Sequence, residues 1–155
     1  MIALDTDIVA IYFIFIWDKR YDAVRSLIES DIKKALTIYN VLELCGLMSI
    51  AQGGSKAIEL FKKVHMRDDF KILYWREYPQ SQSSFISKIL RYIRRGLSLG
   101  DAITAWLIEE HDIDIFITYN KKHFINKILA NVMTPEEYLE SVSYTHLTLP
   151  TTERV

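Results

Sequence analysis

Five short apolar runs, at residues 2–4, 35–38, 71–75, 115–118 and 131–133, recur along this chain, and the long stretches between the first four carry helical periodicity. Runs this short read as strands; 71–75 alternates, and 115–118, almost entirely apolar, reads as a strand covered on both faces. Strands that alternate with helices form βαβ units, whose right-handed crossovers build a mainly parallel sheet with helices on either side. The expected fold is therefore α/β, a three-layer α/β/α sandwich around four or five strands. In such sheets the reactive groups gather at the carboxyl ends of the strands.

Residues 8–17, IVAIYFIFIW, are ten consecutive apolar positions. That is too long for an ordinary strand and about half of a bilayer span, so it reads as a buried helix just after the first strand. A helix lying on a sheet needs only one apolar side, and the excess surface predicts contact with a second subunit. Tyr21, Val24, Leu27 and Ile28 give 20–31 an amphipathic helix. Asn40 opens another that Gly53 and Gly54 break, and 55–65 forms the next. A helix over 84–95 stops at Gly96, one over 98–112 follows, and Pro135 starts a terminal helix, where its missing N–H costs nothing.

With 155 residues, half of them hydrophobic, the chain suffices for one closed core. Nineteen Lys and Arg stand against twenty Asp and Glu, and the net charge of −1 excludes binding of nucleic acid or membrane by bulk charge. The single cysteine, Cys45, removes disulfide frameworks and thiolate metal sites, and the four histidines show no ligand spacing. Only a hard, oxygen-liganded ion stays open. No basic segment precedes the 8–17 run, so the expectation is a soluble, cytoplasmic protein with no membrane partner. Residues 142–151 read VSYTHLTLPT, which resembles a translated sequencing-library adapter. The expected native domain is 1–141, with 142–155 a non-native tail; a native terminal strand is the other reading of it.

Four polar residues fall at the predicted carboxyl edge: Asp5 after the first strand, Glu43 early in the helix after the second, Asp101 early in a later helix, and Asn120 after the fourth strand. Each has a purely structural reading. Asp5 or Thr6 can cap the following helix, Asn40 with Glu43 and Ser98 with Asp101 have capping-box spacing, and Asn120 suits a turn. Together they demand more. Carboxylates within about 4 to 5 Å repel by roughly 3 to 4 kcal/mol per pair at an effective dielectric near 20, so such a cluster calls for a cation. Mg²⁺ or Mn²⁺ fits, since both take carboxylate and water oxygens and leave positions for a phosphate.

The strings IALDTDIVA, NVLEL, LSLGDAITAWLIEEH and IFITYNKKHF, in that order and followed by TPEEYL at 134–139, resemble the PIN-domain ribonucleases, most closely the VapC type of toxin. The resemblance spans nearly all of 1–140. It implies a PIN-like α/β/α sandwich, a metal-dependent endoribonuclease leaving 5′-phosphate and 3′-hydroxyl ends, a homodimer, and a cognate antitoxin protein as partner. Carried over residue by residue, Asp5, Glu43 and Asp101 fall on the acidic metal positions and Thr6 on the small hydroxyl position beside the first. Asn120 falls on the fourth polar catalytic position, which is Asp in many members; an amide is a poorer ligand, which bears on a second metal ion.

An RNA substrate drawn to an acidic site on a neutral chain needs local cations. Lys88, Arg91, Arg94 and Arg95 lie in a segment free of acids from 85 to 97, and Lys121, Lys122 and His123 adjoin Asn120. Arg91, Arg95, Lys121 and Lys122, with Thr6, are the candidate substrate contacts. An ordinary solvated helix face is the other reading of the first group, and Tyr119 either stacks a base or packs in the core. Two rivals stand. Asp5-Thr6-Asp7-Ile8-Val9 also fits the nucleophile motif of haloacid-dehalogenase-like phosphatases, with Asp5 as nucleophile, although Asp101 opens a helix instead of ending a strand. The second is a catalytically inactive PIN-like binding module, encouraged only by Asn120.

Overall fold

The computed structural model describes residues 1–143. Its five strands, β1 (Ile2–Leu4), β2 (Lys34–Thr37), β3 (Phe70–Leu73), β4 (Ile115–Ile117) and β5 (Asn131–Met133), form one sheet in the order β3-β2-β1-β4-β5, every pair parallel. The helices are α1 (Thr6–Phe13), α2 (Tyr21–Ile28), α3 (Ile38–Gln52), α4 (Gly54–Met66), α5 (Gln82–Ile93), α6 (Leu99–Glu110), the short α7 (Lys121–Phe124) and α8 at 135–143. This is the expected α/β sandwich. The expected non-native tail lies almost wholly outside the described residues; its first two positions continue α8.

Strand alternation divides the core in two. Ile2, Leu4, Leu36 and Ile117 face a layer that includes Ile8, Ile11, Val24, Leu27, Val41 and Leu44. Ala3, Ala35 and Phe116 face the other, with Ala102, Ala105, Trp106 and Phe124. Alanines on both the strands and α6 let that helix lie close over the middle of the sheet. The close fit sets the N-terminus of α6, and Asp101 with it, against the carboxyl end of β1.

Three local readings shift. The 8–17 run is not one helix: α1 ends at Phe13, where the N–H groups of Ile14 and Phe15 both donate to the carbonyl of Ala10. The chain then has to turn back toward α2, which leaves Ile16 and Trp17 exposed at 54% and 79% while Ile8 to Ile11 are buried within the same chain. The surface left over for another subunit is therefore two residues, not a helix face. In α3 the cap is Thr37, whose hydroxyl accepts from the Asn40 N–H at 3.0 Å, so Asn40 lies inside the helix. Strand β2 begins at Lys34, whose side chain is fully buried along its aliphatic stem and whose ammonium donates to the Ser30 carbonyl and the Asp69 carboxylate. The Ser98 cap of α6 is as the spacing predicts.

Candidate active site

Asp5 follows β1 directly and caps α1. Its Oδ1 accepts from the Thr6 N–H and its Oδ2 from the Thr118 hydroxyl, both at 2.8 Å. The side chain is buried, and that desolvation, with the charges of Asp7 and Asp101 added, pushes its pKa up to about 8 against the two hydrogen bonds. Asp7 lies half-buried beside it. One oxygen accepts from the Tyr119 N–H at 2.9 Å and the other is buried without a partner among the described residues. Burial raises its pKa too.

Asp101 stands in the first turn of α6, where the Ser98 hydroxyl accepts from its N–H at 3.4 Å. Burial raises its pKa, the Ser98 contact and His123 oppose the rise, and Glu43 adds to it. The His123 Nδ1 lies 3.6 Å from its Oδ2. Glu43 is exposed on α3 and accepts from the Tyr39 hydroxyl at 3.0 Å. Burial first, then Glu43, Asp101 and Asp5, push Tyr39 up to about 12, so its hydroxyl sits in the field of three acids. Gly100 makes room for it: a Cβ there would lie 2.5 Å from the Tyr39 oxygen.

Beneath the acids runs a buried polar chain. The Asn40 amide donates to Thr6 Oγ1 at 2.8 Å, to Thr104 Oγ1 at 3.3 Å and, at 3.5 Å, to Asp5, and its oxygen accepts from the Thr37 hydroxyl at 2.6 Å. Asn40, Thr104 and Thr118 are all buried. Sequence reasoning does not find these three. The cap pattern at Asn40 hides its inward role, and Thr118 reads as the last residue of a strand beside the more conspicuous Asn120. In the structure Thr118 touches Asp5, whereas Asn120 is exposed and uses its N–H to donate to Thr118 Oγ1 at 3.0 Å. Thr6 is committed to Asn40 and buried, away from any substrate.

The sheet edge thus gathers Asp5, Asp7 and Asp101, with Glu43 on α3 beside Asp101, all carrying oxygen ligands; the charges of Asp7 and Asp101 add to the rise at Asp5, and that of Glu43 to the rise at Asp101. That donor chemistry fits a hard divalent cation. Among the described residues no three acidic, His or Cys side chains already converge as a cage. Glu43 is turned onto Tyr39 instead.

The candidate cations are dispersed. Lys121 pairs with Glu137 at 2.9 Å and Lys122 is exposed. Arg95 pairs with Glu109 at 2.8 Å and lies over the Tyr92 ring, so it stabilises the far end of α6. Arg91 lines a hollow beside Glu110, also at that end. An unforeseen cation does reach the acids: Arg20, held by Asp18, lies 4.6 Å over the Tyr119 ring and within the field of Asp7. It covers the Tyr119 face, and the Tyr119 hydroxyl donates to Glu136 at 2.7 Å, so this ring is a brace.

The fold built on this all-parallel sheet, in the order β3-β2-β1-β4-β5, matches that of solved PIN-domain toxin structures. Individual solved structures with this fold include FitAcB from Neisseria gonorrhoeae, at 19% identity and a TM-score of 0.61, the match covering 87% of this chain and 98% of that one. Mycobacterium tuberculosis VapC20, described as a sarcin-ricin loop cleaving toxin, matches at 13% identity and a TM-score of 0.56 over 75% of this chain and 87% of its own. VapBC2 from Rickettsia felis, bound to a DNA fragment from its promoter, matches at 15% and 0.57, over 85% and 98%. No family model matches the sequence, and no curated protein matches it either.

Proposed function

We propose that this chain is a metal-dependent endoribonuclease of the PIN-domain toxin family and the toxin of a toxin-antitoxin pair. The observation that carries the reading is the gathering of Asp5, Asp7 and Asp101 at the carboxyl edge of β1, with Asp5 buried and pushed up to about 8 and Glu43 adding its charge to Asp101 from α3; Asp5, Asp101 and Glu43 are the proposed metal positions. These three residues would hold Mg²⁺ or Mn²⁺. A bound ion of this kind lowers the pKa of a coordinated water and offsets charge on the phosphate oxygens during in-line attack on an RNA phosphodiester.

The chain's own groups supply orientation. Thr6 N–H and the Thr118 hydroxyl fix both oxygens of Asp5, and Asn40 braces the turn beneath it. Ser98 fixes the first turn of α6 under Asp101, and the His123 Nδ1 lies 3.6 Å from the Asp101 carboxylate on its outer side. Asn120 stands at the rim as the fourth polar group, with Lys122 and Arg20 as nearby cations for phosphate. The antitoxin partner is supported by the toxin-antitoxin complexes among the structures of the same fold. A homodimer is supported by Ile86, Leu90 and Ile93, which leave one face of α5 exposed and apolar; sedimentation as a monomer at micromolar concentration would overturn it.

The phosphatase alternative loses ground, because Asp7, its acid-base group, is committed to the Tyr119 N–H. The test is cleavage of single-stranded RNA with Mg²⁺, with EDTA, and by Asp5→Asn and Asp101→Asn. Cleavage should need the metal and both acids. Activity unchanged by any of the three, or hydrolysis of a phosphomonoester in place of RNA, sinks the reading.

A further inference from the structure

Asp101 and Glu110 lie nine residues apart on α6, about 13 Å along its axis. The Glu110 end borders a hollow of about 700 Å³ between α5, α6 and residues 77–80, a size suited to a small ligand or one unit of a larger one. Into it α5 turns Ser84, Ser87, Lys88 and Arg91, the spacing of a single helix face. Neither Lys88 nor Arg91 has a hydrogen-bond or ion-pair partner among the described residues. The exposed apolar residues of α5 lie at 86, 90 and 93, so this basic face is separate from the one that favours self-association.

The opposite wall is aromatic and acidic. Trp106 is fixed by ring contacts with Trp75 at 5.7 Å and Phe85 at 5.6 Å, and the Tyr78 ring, 66% exposed, packs on Trp75 at the rim. Glu110 accepts from the Glu77 N–H through one oxygen, at 3.4 Å, and its other oxygen is buried with no partner among the described residues. A buried carboxylate oxygen without a donor is costly unless something that binds there supplies one. Two unpaired cations and two hydroxyls face an accessible ring and an under-satisfied carboxylate. A nucleotide matches that pattern: phosphate toward Lys88, Arg91 and the serines, base against Tyr78, and a sugar hydroxyl or base amine toward Glu110.

We infer that this hollow holds one nucleotide of a single-stranded RNA that runs along α6 away from the acidic edge. The inference rests on the nuclease reading for the identity of the strand. A free mononucleotide carries the same chemistry, and length dependence separates the two sources. If the strand is the source, an RNA too short to bridge the length of α6 cannot use both ends at once.

The test is fluorescence anisotropy of the full chain in EDTA, which needs no cleavage, with a labelled RNA dodecamer and dinucleotide, and calorimetry with adenosine 5′-monophosphate. Lys88→Ala/Arg91→Ala should weaken the dodecamer roughly tenfold or more, whereas Lys62→Ala/Lys63→Ala on α4 should change it about twofold at most. Glu110→Gln discriminates further: loss of a hydrogen bond to a charged acceptor weakens binding roughly tenfold, although the substitution removes a negative charge. Tightening by Glu110→Gln would mean bulk attraction and overturn the site. So would wild-type dodecamer affinity in Lys88→Ala/Arg91→Ala with an unchanged circular dichroism spectrum. A monophosphate that binds as tightly as the dodecamer keeps the site and assigns it to free nucleotide. RNA held through Lys88 and Arg91 but never cut keeps this inference and overturns the nuclease reading; RNA cut and bound normally without those side chains does the reverse.

Discussion

At its first turn α6 carries Asp101 into a group of carboxylates that are buried or half-buried and braced by Thr118, Thr6, Asn40 and Ser98; at its last turn it carries Glu110 to the wall of an open hollow faced by unpaired cations. The same helix serves both, and the difference lies in what surrounds each end. Desolvation at the first end makes the charges of Asp5, Asp7 and Asp101 costly and raises their proton affinity, which prepares the group for a cation. At the second end Lys88 and Arg91 border an open hollow where solvent screens their charges, while one Glu110 oxygen is buried without a donor, so the three form no ion pair among the described residues and respond to whatever enters. Preorganisation belongs to the acid edge and adaptability to the hollow.

The largest effect that would break this contrast is at the acid edge. Under the proposed nuclease reading, Asp101→Asn should lower RNA cleavage by more than about 100-fold while leaving the affinity for RNA in EDTA nearly unchanged, since loss of a proposed metal ligand would act on the chemistry and not on remote binding. Single-turnover cleavage and anisotropy on the same preparation check it. Next is stability against pH. Folded Asp5 keeps its proton up to about 8, whereas the unfolded carboxyl releases it near 3.8, so between these values the native state binds more protons and stability falls as pH rises. Thermal melts of the metal-free chain should therefore drop from pH 5 to pH 8 by the equivalent of a few kcal/mol, and Asp5→Asn should flatten the slope. A flat wild-type profile would mean the acid edge is as well solvated as the hollow.

Thr118→Val removes a buried donor to Asp5 and should cost about 1 to 3 kcal/mol in urea unfolding at pH 8, less at pH 5, where the carboxyl is protonated. At the hollow, Lys88→Ala/Arg91→Ala should reduce the slope of log affinity against log salt by about 0.7 for each phosphate that is no longer neutralised, with no change in the melts. The smallest effect sits between the two ends. Tyr39→Phe frees Glu43 from its only hydrogen bond among the described residues and should strengthen Mn²⁺ binding severalfold, read by titration calorimetry.

The acid edge is legible because its parts are contiguous in sequence: a strand of three apolar residues ending in Asp5, and a Ser98 cap three residues before Asp101. A strand end and a helix start put a side chain at one sheet edge wherever the rest of the chain goes. Asn40 is misplaced by pattern for a physical reason, since Thr37 and Asn40 both satisfy the cap rules and only packing against Thr6 and Thr104 decides between them. The turn after Phe13 is invisible because apolar residues continue through it, and periodicity carries no signal for a helix that ends without changing composition. Arg20 over Tyr119 and Glu110 beside Lys88 join segments far apart in the chain, and no local pattern announces them.

Central placement of β1 has a consequence in time. Asp5 meets Thr118 across 113 residues, and Ile2 pairs with Ile115 in register. A chain made from its N-terminus exposes the middle strand of its sheet long before the neighbour on one side exists, and non-local parallel pairing is slow to form. Nascent chains that end before β4 carry Asp5, Glu43 and even Asp101, yet they lack the Thr118 hydroxyl and the strand that hold the edge together. Under the nuclease reading, each molecule would stay harmless through most of its synthesis and acquire its chemistry in one late step.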